Sequence, residues 1–443
     1  MMTCEGEIFD VVIIGCGPAG IAAALDFQLI SPLKFILLEA RNRVGGRVIT
    51  DRTTFGTNAP VDLGAQWLHH YRPENPLYKY LQISNDHPKN YHFILRSSTT
   101  PFFDIDGTKI SSDKIDQAEE IFNRLCTKIK DSSSSLTIDK SIFDVIKNEY
   151  DNCTNDSQIK RLIDLFFGII EQYEASNLDQ LSTKSYLKAD NDIPEFNLAI
   201  PNGLGIFIEQ LVQQQKLPIE LNCIVTCIDT SSVDSFVKIH TKDKRVFLCK
   251  YVLVTIPLGC LKNHSIEFIP KLPEWKQNAI DSMGVGISNK ILIQFPYTFW
   301  ESKDTAIFCT SSRFRFILCR SDVCLLYIKV AGQVALEIEQ KNDQETIDEI
   351  MILLRRIFSD RNVPEPIQYL ITKWNQDPFS YGSYSNFAVG SDNQTLIDLA
   401  KECHERIYWA GEHTNYNGTI GCVDSAFESG HREAKRILEK LKQ

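Results

Sequence analysis

Phe9-Asp10-Val11-Val12-Ile13-Ile14-Gly15-Cys16-Gly17-Pro18-Ala19-Gly20 runs into Ile21-Ala22-Ala23-Ala24-Leu25 and, a little further on, into Lys34-Phe35-Ile36-Leu37-Leu38-Glu39. The first apolar run is short and β-branched, which predicts a buried strand rather than a helix. The alanine-rich run predicts a helix, and the second apolar run predicts a second strand. The order is therefore strand, Gly-x-Gly-x-x-Gly, helix, strand, acid. Gly15 allows the tight turn, Gly17 lets backbone approach a pyrophosphate, and Gly20 lets the helix pack on the strand. Pro18 and Ala19 open that helix, whose N-terminus favours an anion. Glu39 falls about twenty residues past the last glycine, where a carboxylate accepts from ribose hydroxyls. An acid at that point argues against a 2′-phosphate, so a plain adenosine dinucleotide is expected.

Working outward, Glu39-Ala40-Arg41-Asn42-Arg43-Val44-Gly45-Gly46-Arg47 adds a second glycine-and-arginine turn that a nicotinamide dehydrogenase does not need. Arginine suits bidentate contact with phosphate, although a solvated basic turn has the same composition. The 443 residues suit two or three domains. Hydrophobic content of 43% and charged content of 23% are ordinary for a globular protein. A net charge of -10 disfavours nucleic acid and anionic membranes as partners. Thirteen scattered cysteines form no Cys-x-x-Cys pairs of the zinc type. They read as reduced thiols of a cytoplasmic protein. No signal peptide or transmembrane-length apolar run is visible, and no metal site is expected.

Residues 81–199 lose the α/β rhythm. Ile115–Lys130, Ser141–Tyr150 and Ile159–Tyr173 read as helices, and Asp131–Thr137, with four serines, reads as a loop. Leu221–Ile228 reads as a strand, Asp234–Leu248 as a hairpin, and Tyr251–Val254 as a strand of a buried parallel sheet. Ser425–Leu441 reads as a final helix.

The turn at Arg41–Arg47 resembles the second motif of the flavin-containing amine oxidase superfamily, and the resemblance extends over nearly the whole chain. It implies an α/β fold, with a discontinuous Rossmann-like FAD-binding domain (1–80, 200–265 and 395–443). An interleaved α+β substrate-binding domain (81–199 and 266–394) completes it. Arg41, Gly46 and Arg47 then lie on the FAD diphosphate and ribose side, with Ala40 beside them. Gly64-Ala65-Gln66-Trp67-Leu68-His69 is similar to the polyamine oxidase motif that lines the flavin and turns its His to the substrate. Taken alone, Trp67 and His69 read as core packing and a satisfied imidazole. Amino-acid oxidases carry an arginine in this segment, and none occurs here.

Glu171-Gln172-Tyr173-Glu174-Ala175 also resembles a family segment, which makes Glu171 and Glu174 candidates for binding a distal ammonium; a solvated helix face is the plainer reading of either. By the same resemblance Val225 meets the adenine, and Thr255 opens the Thr-x-Pro-Leu-Gly crossing beside the flavin. Lys290 matches the lysine that holds a water against flavin N5, although a lysine entering a strand is usually at an edge. Trp374-Asn375-Gln376-Asp377-Pro378 and Gly382-Ser383-Tyr384-Ser385 match a further signature, with Trp374 and Tyr384 against the ring. Monoamine oxidases carry a flavin-linking cysteine where Ser383 stands, so FAD is expected to be noncovalent. Gly411-Glu412-His413-Thr414 and Gly421-Cys422-Val423 complete the flavin side. Cys422 departs from the aromatic or threonine of relatives, which leaves the cavity shape open there.

The resemblance implies hydride transfer from a secondary amine of a polyamine (spermine, spermidine or acetylated forms) to flavin N5. An aldehyde, a shorter amine and hydrogen peroxide follow, with dioxygen as co-substrate and a monomer or weak homo-oligomer as the working form. The alternatives are a histone lysine demethylase-like enzyme, an amino-acid oxidase, or a non-enzymatic FAD-binding module.

Overall fold

The computed structural model describes residues 7–69, 73–81, 89–91, 100–186, 197–232, 236–301 and 306–443. The opening apolar run becomes the strand Ile8–Ile14, hydrogen-bonded in parallel to Phe35–Leu38 on one side and Val246–Val254 on the other. Both faces of this strand are covered. Val11 and Ile13 join the apolar cluster of the helices Pro18–Gln28 and Val423–Leu441, and Val12 and Ile14 join a second cluster with Val252, Leu399 and Trp409. Burial on both faces is why the run is continuously apolar instead of alternating.

The sheet runs Glu267–Ile269, Val225–Asp229, Val237–Thr241, Val246–Val254, Ile8–Ile14, Phe35–Leu38, Ile219–Glu220. The long strand Val246–Val254 changes partner along one edge. Its first half pairs antiparallel with Val237–Thr241, and its last residues pair parallel with Ile407–Trp409. The hairpin and the buried strand expected separately are thus one continuous strand. The hairpin's expected start, Asp234, lies outside the described residues, as does His70 of the Trp67 segment. The strand expected over Leu221–Ile228 begins only at Val225, after Asn222 takes a left-handed φ of 57°.

A second sheet runs Gln368–Ile371, Ser288–Gln294, Leu325–Ala331, Phe316–Arg320, Ala306–Cys309, Phe102–Phe103. Helix Asp343–Ile357 packs into one apolar cluster with it, and helices Ser112–Ser135, Ile142–Asp151 and Ser157–Glu174 build another around Phe102, Phe308 and Phe316. The loop expected at Asp131–Thr137 is replaced by the end of helix Ser112–Ser135. Ser133 and Ser135 donate back to the carbonyls of Lys130 and Asp131, so their hydroxyls are satisfied within the helix instead of breaking it. No helix among the described residues is long and apolar enough to cross a membrane.

Candidate active site

The two sheets meet at a cavity of about 740 Å³. One end is built from backbone. Gly15 has φ +104°, and a Cβ at Gly20 would stand 2.2 Å from the Gly15 carbonyl oxygen, so only glycine lets the helix start this close to the strand. A Cβ at Gly17 would meet nothing within 4 Å, leaving the helix start open toward the cavity, and no side chain caps that helix. The Glu39 carboxylate is buried beside it and accepts from the N–H groups of Cys16 and Arg41, both at 2.8 Å.

Carboxylates hold the two arginines in place. Arg41 donates to both oxygens of Asp377 at 2.9 and 2.8 Å and to Ser380 Oγ. Arg47 donates to the Ser383 carbonyl at 2.7 Å and to Glu412 at 3.0 Å. Burial alone would disfavour the charged Glu412, but Arg47, His413 and the Ser385 hydroxyl outweigh it and hold the carboxyl below its ordinary range. Glu412 also accepts from Gly421 N at 2.9 Å. Thr255 Oγ1 donates to Ile14 O at 2.8 Å, tying the glycine turn to the strand that ends at Val254.

The other end is built from side chains. Lys290 sits on an interior strand, not the edge that lysine in a strand usually marks. Its Nζ donates to Asp62 O at 2.6 Å, Gly64 O at 2.7 Å and Gln66 Oε1 at 3.3 Å. Burial pulls the amine down to about 7, against the attraction of Asp62. Three oxygen acceptors suit the three N–H groups of the ammonium form. Trp374 Nε1 donates to Leu63 O at 3.2 Å, so Lys290 and Trp374 together fix the backbone of Asp62–Gly64. Gly64 is required there, because a Cβ would stand 1.8 Å from the Arg47 carbonyl oxygen.

Nearly every residue singled out in the sequence reaches this cavity. Gly15, Gly17, Pro18, Ala19, Glu39 and Ala40 line it at the helix start, with Arg41, Gly46 and Arg47 next to them. Gly64, Ala65, Gln66, Trp67 and His69 line it from one segment, and Lys290, Trp374 and Tyr384 from the second sheet's side. Val225, Thr255, Gly411, Glu412, Gly421, Cys422 and Val423 complete it. Burial pushes the Cys422 thiol well above its ordinary range, which keeps it a neutral wall. Glu174 is buried and lines the cavity.

One expectation is corrected. Glu171 is not on the lining; it pairs with Arg315 at 2.9 Å and accepts from Asn177 and Leu178, closing the end of helix Ser157–Glu174. Glu174, one turn further on and the last residue of the helix, lines the cavity, so it is their different partners that separate the two acids. Gly20 lies off the lining and packs against Gly15, the close helix-on-strand contact expected of it. Sequence reading missed Lys329, which lines the cavity opposite Lys290. Its signal was available: one lysine in the otherwise apolar and aromatic run Leu325-Leu326-Tyr327-Ile328-Lys329-Val330. It also missed Glu339, buried, which accepts from Asn289 Nδ2, Asn375 N and Gln376 N. That carboxylate locks the loop after Trp374 to the strand of Lys290.

A glycine-rich helix start and a buried, lysine-bearing pocket thus share one cavity. The chain belongs to the family described as flavin containing amine oxidoreductase, whose model matches residues 18–438; a flavin cofactor and amine oxidation come with that membership. Polyamine oxidase 2 of Arabidopsis thaliana is 30% identical, over 97% of this chain and 89% of its own length. Polyamine oxidase 4 of Oryza sativa subsp. japonica is 31% identical, over 97% and 89%. Lysine-specific histone demethylase 2 of Homo sapiens is 30% identical over 96% of this chain, which spans 53% of it. Lysine-specific histone demethylase 1 homolog 3 of Arabidopsis thaliana is 28% identical, and the chain spans 30% of it.

Proposed function

We propose that this chain is an FAD-dependent oxidase of secondary amines in polyamines, with the FAD held noncovalently. The observation that carries the reading is the single cavity joining the Gly17–Arg47 cradle to Lys290, Trp374, His69 and Glu174. The cradle fits a dinucleotide: it has an uncapped helix start, an open glycine and a buried acid directly after the second strand. In this reading Glu39 holds the adenosine ribose, Arg41 and Arg47 the diphosphate side, and Val225 the adenine. The parallel strands with 1–80, 200–265 and 395–443 form a Rossmann-like FAD domain, and the rest forms the substrate domain.

Bound FAD would supply the two-electron acceptor that turns the amine into an imine, water then giving aldehyde and shorter amine, and dioxygen leaving as hydrogen peroxide. The chain's own residues orient and desolvate. Trp67, Trp374 and Tyr384 make an aromatic wall that favours the neutral amine. Lys290 adds positive potential where charge develops; Gln66, its longest partner, is the one a water would replace. Ser383 supports noncovalent binding: its hydroxyl accepts from Ser288 N and donates to Ser288 O, at 2.7 and 2.8 Å. A cytoplasmic setting and a monomer or weak homo-oligomer belong to the same reading.

The test is peroxide production from spermine, spermidine, their acetyl forms, benzylamine, leucine and a methyl-lysine peptide, with acid release of the flavin. Polyamines are expected to lead, with activity rising from about pH 6 to about 8–9 as the amine loses its proton. Leucine, benzylamine or the peptide outpacing every polyamine would overturn the reading, as would flavin that stays with the precipitated protein.

A further inference from the structure

Lys329 is a second cavity cation to which the chemistry above gives no part. It faces Lys290 directly across the strands Ser288–Gln294 and Leu325–Ala331, but the two lysines are bonded differently. Lys290 has an oxygen for each of its three N–H groups. Lys329 donates to Gln172 O at 2.7 Å and Tyr384 Oη at 3.3 Å. Among the described residues, one of its three N–H donors therefore has no acceptor. Tyr384 Oη is directed to the carbonyls of Tyr173 and Gln172, at 2.8 and 3.1 Å, so toward Lys329 it can only accept. Burial lowers the Lys329 amine to about 8, and Glu174 works against that, acting as its counter-charge.

Charge balance restricts what the remote end of a substrate can be. Among the described residues the lining carboxylates are Glu39, Glu174 and Glu412. Glu39 is taken by backbone N–H groups and Glu412 by Arg47, Ser385 and Gly421. Glu174 is balanced by Lys329, and Glu171 is bound to Arg315 outside the cavity. A free ammonium beside Lys329 meets a like charge in a wall poor in water. A carboxylate there meets Glu174. A neutral carbonyl oxygen meets neither repulsion and accepts the remaining N–H.

We propose that Lys329 is a specificity-determining residue that donates to an amide carbonyl at the remote end of the substrate. The preferred amine then carries an N-acyl group there in place of a free ammonium. This rests on the polyamine reading and narrows it.

The experiment compares the purified holoenzyme with Lys329→Met, Lys329→Arg and Glu174→Gln on spermine and N1-acetylspermine. The native chain is expected to favour the acetyl form by about tenfold or more in kcat/KM, the worth of one buried hydrogen bond. Lys329→Met should reduce that preference about tenfold, chiefly through KM, with flavin content unchanged, and Lys329→Arg should keep most of it. Glu174→Gln leaves Lys329 unbalanced and should widen the preference. An unmoved ratio in Lys329→Met, or a native preference for spermine, overturns the inference while the polyamine reading stands. If Lys329→Met does not fold, a Glu174→Gln ratio that fails to widen overturns it equally. A native enzyme that oxidises neither amine but does oxidise another overturns the polyamine reading, and this inference with it.

Discussion

The two ends of the cavity are made by opposite means. The glycine-turn end is assembled largely from residues close in sequence, Gly15 to Arg47, with geometry fixed by glycine, by N–H groups and by the carboxylates that hold the two arginines. The amine end gathers His69, Glu174, Lys290, Lys329, Trp374 and Cys422 from six separate segments, and its geometry is fixed by side chains bonding to distant carbonyls. At Gly15 and Gly20 the first end has no room for an added atom. The second tolerates substitution but changes its chemistry. The comparison teaches that cofactor retention and substrate choice should be separable by mutation.

The largest effect that would break this separation is a rate loss at the amine end accompanied by flavin loss. Lys290→Met is expected to slow flavin reduction or reoxidation by about 10²–10³ with flavin retained. Stopped-flow traces of both half-reactions, with an absorbance measure of bound flavin, check it. Gly20→Ala is the converse. Its methyl has no room beside the Gly15 carbonyl, so it should destabilise the fold by about 1–3 kcal/mol and lower flavin content, with the kcat of the loaded fraction little changed. Thermal melts and flavin-to-protein ratios read both.

A third prediction concerns pH. Buried His413, beside the cradle, has its pKa lowered by burial to about 4, with Glu412 opposing. The unfolded chain therefore binds a proton at His413 between about 6.5 and 4 that the folded chain refuses. Its contribution is fully present above pH 6.5 and is lost as pH falls toward 4, roughly 3 kcal/mol in all. His413→Gln should flatten the acid limb of a melting-temperature profile over that window. His69→Ala should raise the substrate KM or shift the pH profile at the amine end while leaving flavin content unchanged, as substrate titrations and flavin absorbance would report.

The smallest effect sharpens the contrast within one helix. Glu171→Gln should cost about 1 kcal/mol or less, measured by denaturant titration, because its partner Arg315 is partly solvated. Substrate kinetics should stay within about twofold of native. Glu174→Gln, three residues on, should raise the KM for a polycationic amine several-fold, since it removes the cavity's counter-charge.

How much was legible follows the same division. Gly15, Gly17, Gly20 and Glu39 announce themselves because a tight turn, a close approach and a ribose acid need those residues at that spacing. Lys290, Trp374 and Glu412 were legible only through family resemblance. Residue type alone read Lys290 as a solvated edge, and the interior position of its strand overturned that. Glu171 and Glu174 looked equivalent and share a helix face, but the segments packed around them gave one to Arg315 and the other to the cavity. Ser132–Ser135 looked like a loop, yet the hydroxyls of Ser133 and Ser135 bonded to carbonyls one turn back.

By itself the sequence determined the strand Ile8–Ile14, its glycine turn and the helix that follows, because those depend on interactions within a few residues of one another. Only the tertiary structure decided which carboxylate stays with the cavity, that Lys290 has all its donors occupied, and that Lys329 stands opposite it with one donor left. Those are outcomes of strand register and of burial, and both are set by packing between segments far apart in the chain.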